Sequence, residues 1–148
     1  MKRGIFFIPL LLLLTFVFCG DKKEEGKSQT KEEKPTQTAQ VNVEFPEEWP
    51  QLKPDLAAKG EKLFLQKGCN ACHTIGKGKL VGPDLKGLNQ RVSFKWAAHM
   101  ILNPDSMLKY DQRAKQLLKE HGTPMTNQNV KPDEAVAILH YILRESQK

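Results

Sequence analysis

Cysteine and aromatic residues are scarce in this sequence. Three cysteines, Cys19, Cys69 and Cys72, occur among 148 residues, which excludes a small fold held together by several disulfides. The chain also lacks an arginine-rich run and a basic stripe interleaved with aromatic residues, so we expect no nucleic-acid binding. The length suits one compact domain with tails.

The N-terminal segment has the composition of an export signal. Lys2 and Arg3 precede an apolar run over residues 5–18. As a helix this run would span about 21 Å, which is less than the ~30 Å hydrocarbon core of a membrane. The length therefore favours a signal peptide over residues 1–19 rather than a membrane span.

Cys19 ends that segment and is followed at once by polar residues. The arrangement resembles a bacterial lipoprotein signal, in which the cysteine becomes the lipid-modified first residue of the mature chain. It departs from that family at Phe18, where a small residue is usual. The alternative is an uncleaved leader that stays in the membrane. Both interpretations predict a domain exported to the periplasmic or cell-surface side and anchored to a membrane.

The composition changes again near residue 49. Residues 20–48 are mostly charged and polar, and they predict a disordered tether because they cannot bury enough apolar surface to offset the entropy of ordering. Residues 49–148 are predicted to form the folded domain and contain 16 Lys and Arg against 9 Asp and Glu, a net charge of +7. Such a charge suits an acidic protein partner or an anionic membrane surface.

The segment Cys69-Asn70-Ala71-Cys72-His73 carries the strongest signal for chemistry. Two thiols at this spacing, followed directly by histidine, predict covalent attachment of one c-type haem with His73 as an iron ligand. A thioredoxin-like dithiol would follow a strand, whereas a helical pattern precedes Cys69. A zinc site would need two further ligands at short spacing, and the remaining histidines, His99, His121 and His140, are scattered.

Helical periodicity fills the rest of the domain. One amphipathic helix is predicted before the motif, ending near Gly68, and another over residues 93–102. A third should begin at Asn103-Pro104 and continue to Gly122, and the last should cover residues 132–145. The sequence therefore predicts an all-α domain.

These features together resemble the class I cytochromes c. The resemblance implies four to five helices around one covalent haem. In that family a glycine on the N-terminal helix lets the C-terminal helix cross closely and an aromatic residue packs beside it, and Gly60 and Phe64 match those positions. Tyr141 is the candidate aromatic partner on the last helix.

The same resemblance implies roles for four further residues. Pro83, in Gly82-Pro83-Asp84, matches the proline whose carbonyl accepts a hydrogen bond from the proximal histidine. Arg91 and Trp96 occupy positions where similar cytochromes have donors to the haem propionates, although a surface arginine and a core tryptophan are equally ordinary explanations. Met125 matches the axial methionine, with His121 or an open site as the alternatives. Packing or solvent exposure explains the other candidates better: Met100, Met107, His99 and His140.

A haem with both axial positions filled implies an electron carrier with no catalytic activity of its own. The alternative function is a haem c subunit of a larger respiratory oxidoreductase, such as a terminal reductase or oxidase. Gas binding or peroxidase chemistry would require an open iron. We expect a monomer that meets redox proteins through an acidic docking surface on the partner, recognised by lysines flanking the motif: Lys67, Lys77, Lys79 and Lys86.

Overall fold

The computed structural model describes residues 44–148. This part of the chain contains five α-helices, two single turns of 3-10 helix and no strand, as the all-α prediction requires. The predicted leader, Cys19 and most of the predicted tether lie outside the described residues. Within those residues, no helix is both long enough and apolar enough to cross a membrane.

Helix α1 covers Pro54–Gln66, in agreement with the predicted first helix. A proline at its start fits because the first turn of a helix needs no N–H donor. The helix ends before Gly68, whose φ of +71° is a left-handed conformation that glycine adopts without steric cost. This turn redirects the chain into the two-cysteine motif.

Three consecutive helices follow the motif: α2 (Phe94–Leu102), α3 (Pro104–Tyr110) and α4 (Gln112–His121). The sequence pattern predicted a single helix from Asn103-Pro104 to Gly122, and that prediction was wrong. Asp111 has an extended backbone (φ −87°, ψ 130°) and its carboxylate accepts a hydrogen bond from Ala114 N at 2.8 Å. Asp111 therefore caps a new helix at a point where the continuous periodicity had predicted one uninterrupted helix.

The last helix, α5, covers Pro132–Ser146 and packs most extensively against α1. A Cβ atom at Gly60 would overlap the Ala137 carbonyl of α5, so the close crossing needs glycine at this position. The Phe64 and Tyr141 rings lie beside the crossing with centroids 5.3 Å apart. Both predicted features of this helix pair are confirmed.

The buried core extends to residues before α1. Phe45 is 5% exposed and its ring lies 5.9 Å from His99. The Glu47 carbonyl accepts a hydrogen bond from Phe94 N, and Trp49 Nε1 donates to the Val92 carbonyl. The packed region thus begins a few residues ahead of the predicted boundary at residue 49.

His140 is a buried polar residue of this core, with 2% of its surface exposed. Its Nδ1 accepts a hydrogen bond from the backbone N–H of Lys53, at the start of α1, over 3.2 Å. Burial, together with the charge of Lys53, lowers the pKa of His140 below its ordinary value. His140 therefore acts as a neutral acceptor that joins α5 to the beginning of α1, as its interpretation as a packed residue requires.

Candidate haem site

A single apolar cavity of about 260 Å³ collects most of the predicted site residues. It lies among the end of α1, the two-cysteine motif, helices α2 and α4, and the loop before α5. Six of the seven residues predicted to bind the haem line it: Cys69, Cys72, His73, Pro83, Trp96 and Met125. Arg91 is not among the lining residues.

The two cysteines lie on one tight turn. Cys69–Ala71 form a single 3-10 turn, and the backbone N–H groups of Cys72 and His73 both donate to the Cys69 carbonyl. Cys69 is partly buried and Cys72 is exposed, and burial raises the pKa of the Cys69 thiol. The turn brings both thiols and the imidazole to the same cavity.

His73 is oriented by the chain itself. Its Nδ1 lies 3.0 Å from the Pro83 carbonyl oxygen. Since that oxygen can only accept, Nδ1 carries the proton and Nε2 keeps a free lone pair. Burial, opposed by the Pro83 hydrogen bond, lowers the pKa of His73, and the neighbouring His121 lowers it further. The imidazole is thus neutral, as a metal ligand must be.

Gly82 lies against the same ring. A Cβ atom at Gly82 would lie 2.6 Å from His73 Cε1 and 2.9 Å from Nδ1. Any side chain at this position would therefore displace the imidazole. The Gly82 N–H also donates to the Cys72 carbonyl at 2.8 Å, which ties this segment to the motif.

Asp84 is a residue of the site to which the sequence pattern assigned no role. It belongs to residues 74–87, which we call the proximal loop, and its carboxylate accepts hydrogen bonds from the backbone N–H groups of Gly76, Gly78 and Lys86. Burial alone would raise the pKa of Asp84, but these bonds and the Thr74 hydroxyl outweigh it and lower the pKa to about 2. The glycines at 76 and 78 were the available sequence signal, because both have positive φ.

Arg91 and Trp96 differ in how they relate to the cavity. Arg91 Nη2 donates to the carbonyls of Asp84 and Lys86, at 2.7 and 3.0 Å, so this nitrogen holds the proximal loop. Trp96 lines the cavity, and its Nε1 is buried without a hydrogen-bond partner within the described residues. An unpartnered buried donor is costly unless a ligand accepts from it, which fits a haem carboxylate beside Trp96.

Met125 and His121 both line the cavity on the side of α4 and the loop that follows it. His121 is the last residue of α4, and its Nδ1 is buried without a partner in the described part of the chain. Met100 lines the cavity as well, whereas His99 packs on Phe45. The choice between Met125 and His121 as sixth ligand remains a prediction.

The rival metal interpretation has no support in the described region. No group of three or more His, Cys, Asp or Glu side chains between residues 44 and 148 is arranged to hold a metal ion. An apolar cavity that joins two thiols, an oriented imidazole, a thioether and an unpartnered indole donor instead fits a haem.

Comparisons with known proteins agree with this geometry. The family described as Cytochrome c matches residues 57–145. A cytochrome c from Rhodothermus marinus is 32% identical over 71% of this chain and 86% of its own, with a TM-score of 0.63. No curated protein sequence matches the chain.

Engineered forms of that cytochrome are also similar. The variant Rma TDE is 31% identical over 72% of this chain and 88% of its own, with a TM-score of 0.63. The same variant bound to a carbene intermediate gives a TM-score of 0.60 at 31% identity over the same shares of both chains. The chain therefore belongs to the cytochrome c family, as a class I member with one covalent c-type haem that serves electron transfer.

Proposed function

We propose that this protein is an exported, membrane-tethered electron carrier whose haem has His73 and Met125 as axial ligands. The supporting observation is that both side chains line the apolar cavity that also receives Cys69 and Cys72. His121 lines it too, and the choice of Met125 follows from the family resemblance. A bound c-type haem supplies one-electron redox chemistry. The chain's contribution is to hold, orient and shield it.

Each lining residue has a separate part in this proposal. His73 offers Nε2 while Pro83 keeps the proton on Nδ1, and Met125 offers a soft thioether that favours the reduced state and raises the potential. Apolar side chains of α2, α4 and α5 exclude water. Trp96 Nε1 is the donor available to a carboxylate of the macrocycle.

The ligand assignment is tested by two matched alanine variants, each removing one cavity-lining candidate. Met125→Ala should keep the covalent haem, lower the reduction potential markedly and open the iron to carbon monoxide. His121→Ala should leave the potential and the weak long-wavelength absorption band of thioether-ligated oxidised haem unchanged. The reverse pattern would assign the sixth position to His121.

The docking surface that we propose includes only two of the four lysines that the sequence suggested. Lys67 pairs with Glu134 at 2.8 Å, and Lys79 Nζ donates to the Glu120 carbonyl. Lys77 and Lys86 form no ion pair within residues 44–148. Between them in the chain, Leu80 and Val81 are 50% and 40% exposed. An apolar centre with cationic neighbours suits a redox protein with an acidic rim.

Charge reversal tests this surface. Lys77→Glu combined with Lys86→Glu should slow electron transfer to the partner and weaken its salt dependence, because steering by exposed charge is screened within roughly 8 Å at physiological ionic strength. The matched control reverses Lys62 and Lys119, which lie outside the proximal loop, and should slow the reaction less. Equal slowing by both pairs would mean that the net charge of the protein, and not this surface, steers the partner. A stable, salt-insensitive complex would instead support the alternative function, a haem c subunit of a larger respiratory oxidoreductase.

The tether proposal rests on the sequence, since Cys19 and the leader lie outside the described residues. Cys19→Ser should release the protein from membranes if the cysteine is acylated, and the native protein should carry the added lipid mass at Cys19. Continued membrane association of the variant, with no lipid on native Cys19, would favour an uncleaved leader.

A further inference from the structure

We propose that Asp84 is a positioning residue for His73: by fixing the proximal loop it sets the hydrogen bond to the imidazole and thereby the reduction potential. This inference rests on the proposed role of His73 as an axial ligand. It assigns to the Gly-Pro-Asp segment a contribution beyond the proline carbonyl alone.

The contacts of the Asp84 carboxylate are unusually many for one surface turn. Oδ1 accepts from Gly76 N at 2.8 Å and from Lys86 N at 2.7 Å. Oδ2 accepts from Gly78 N at 2.5 Å and lies 3.1 Å from the Thr74 hydroxyl oxygen. Three backbone amides from both ends of the loop therefore converge on one side chain.

The same loop is closed a second time by Arg91. Its Nη2 bridges the carbonyls of Asp84 and Lys86, while Leu85 N donates to the Thr74 carbonyl at 2.8 Å. Asp84 thus accepts through its side chain and its carbonyl at once. The peptide on either side of it has little freedom to rotate.

The peptide bond between Pro83 and Asp84 connects this rigid loop to the residue that contacts His73. Pro83, whose carbonyl oxygen lies 3.0 Å from His73 Nδ1, immediately precedes Asp84. Gly82, the residue before it, leaves no room for a Cβ atom beside the ring. A rotation of this peptide would weaken the hydrogen bond to the Pro83 carbonyl and also loosen the contact of Gly82 with the His73 ring. A weaker bond to Nδ1 makes the imidazole a poorer donor to the metal, which favours the reduced state.

The carboxylate is needed because both of its oxygens accept hydrogen bonds from backbone amides. In Asp84→Asn the NH₂ group cannot accept from the amides facing it, although the side chain keeps its shape. The pKa of Asp84, lowered to about 2, agrees with a carboxylate that stays ionised throughout the working range. Asn is therefore a nearly isosteric test of the network.

The experiment compares Asp84→Asn with Asp133→Asn in the full-length holoprotein. Asp133 is an exposed acid on α5 paired with Lys59, so the second variant makes the same chemical change away from the loop. Asp84→Asn should raise the reduction potential and speed solvent exchange of the His73 Nδ1 proton by roughly tenfold or more, as loss of a charged hydrogen bond would. Asp133→Asn should change neither quantity.

A folded Asp84→Asn holoprotein with unchanged potential and unchanged proton exchange overturns the inference. If that variant does not retain haem, Thr74→Val, which removes one neighbour of the carboxylate, must move both quantities in the same direction or the inference is equally overturned. Failure of His73 ligation is distinguishable, because the wild type itself would then lack the hyperfine-shifted ring resonances of an iron-bound His73.

Discussion

The two loops beside the proposed axial ligands are built differently. The proximal loop holds Pro83 against His73 through hydrogen bonds between residues up to ten positions apart, centred on Asp84. The distal loop, residues 122–131, carries Met125. Its own side-chain bonds are local, from Gln128 to Thr126 and from the Asn129 amide to Asn127.

This difference indicates that the two proposed ligands are held in place in different ways. His73 is oriented by protein contacts on its non-coordinating nitrogen and by Gly82 at its face. Met125 lies in a mostly exposed loop, where Lys67 supplies one bond from outside, to the Asn129 carbonyl. We infer that the fold positions His73 before coordination, whereas coordination itself contributes much of the order at Met125.

The same substitution in each loop gives the largest expected contrast. Gly82→Ala should destabilise the holoprotein by about 1–3 kcal/mol through overpacking and disturb the visible spectrum, because the new Cβ meets the His73 ring. Gly122→Ala meets no atom within 4 Å and suffers only its positive φ of +72°, a cost of about 1–2 kcal/mol. Chemical unfolding with parallel spectra measures both. If Gly122→Ala disturbed the spectrum and Gly82→Ala did not, the distal loop and not the proximal loop would be the one that holds its ligand tightly.

The sequence singles out the predicted proximal ligand, His73, but not the loop that supports it. Cys69, Cys72 and His73 lie within five consecutive residues, so local spacing predicts their chemistry. The crossing of Gly60 with α5 was implied by the family resemblance. The Asp84 network depends on left-handed glycines at 76 and 78, which were the available sequence signal, and on backbone amides, which no side-chain pattern encodes. Arg91 occupies a position where similar cytochromes have a donor to a haem propionate, and no sequence pattern indicated that its Nη2 also donates to the carbonyls of Asp84 and Lys86. Asp111 interrupted a helix because a cap outweighed continuous periodicity.

Acid should weaken the helical frame that both loops share. The pKa of His140 is lowered in the folded protein, so the unfolded chain binds the proton more readily. The stabilisation is therefore complete above the ordinary pKa of 6.5 and is lost as the pH falls through the lower folded value. The unfolding free energy should decline below pH 6.5 by at most about 1.4 kcal/mol per pH unit from this group.

The matched variant for that prediction is His140→Gln, which can still accept from Lys53 N but does not titrate. Its unfolding free energy should depend less on pH between 7 and 5 than that of the wild type. Identical pH profiles for the two proteins would remove His140 as the source of acid sensitivity.

The smallest expected effect concerns Lys79, which links the proximal loop to α4. Lys79 Nζ, from the proximal loop, donates to the Glu120 carbonyl near the end of α4 over 3.2 Å, in an exposed position. Lys79→Met keeps the aliphatic stem and should cost no more than about 1 kcal/mol of unfolding free energy. A larger loss of unfolding free energy would mean that the proximal loop is coupled to α4 and the segment after it, so that the two loops are not ordered independently.

Amide hydrogen exchange of the oxidised holoprotein, with and without exogenous imidazole, tests the difference between the loops most directly. Imidazole that displaces Met125 should speed exchange at Asn127 and Asn129 while leaving the amides of Gly76, Gly78 and Lys86 as protected as before. Equal acceleration in both loops, or protection of the distal loop that survives displacement of Met125, would contradict the claim that the fold orders His73 and coordination orders Met125.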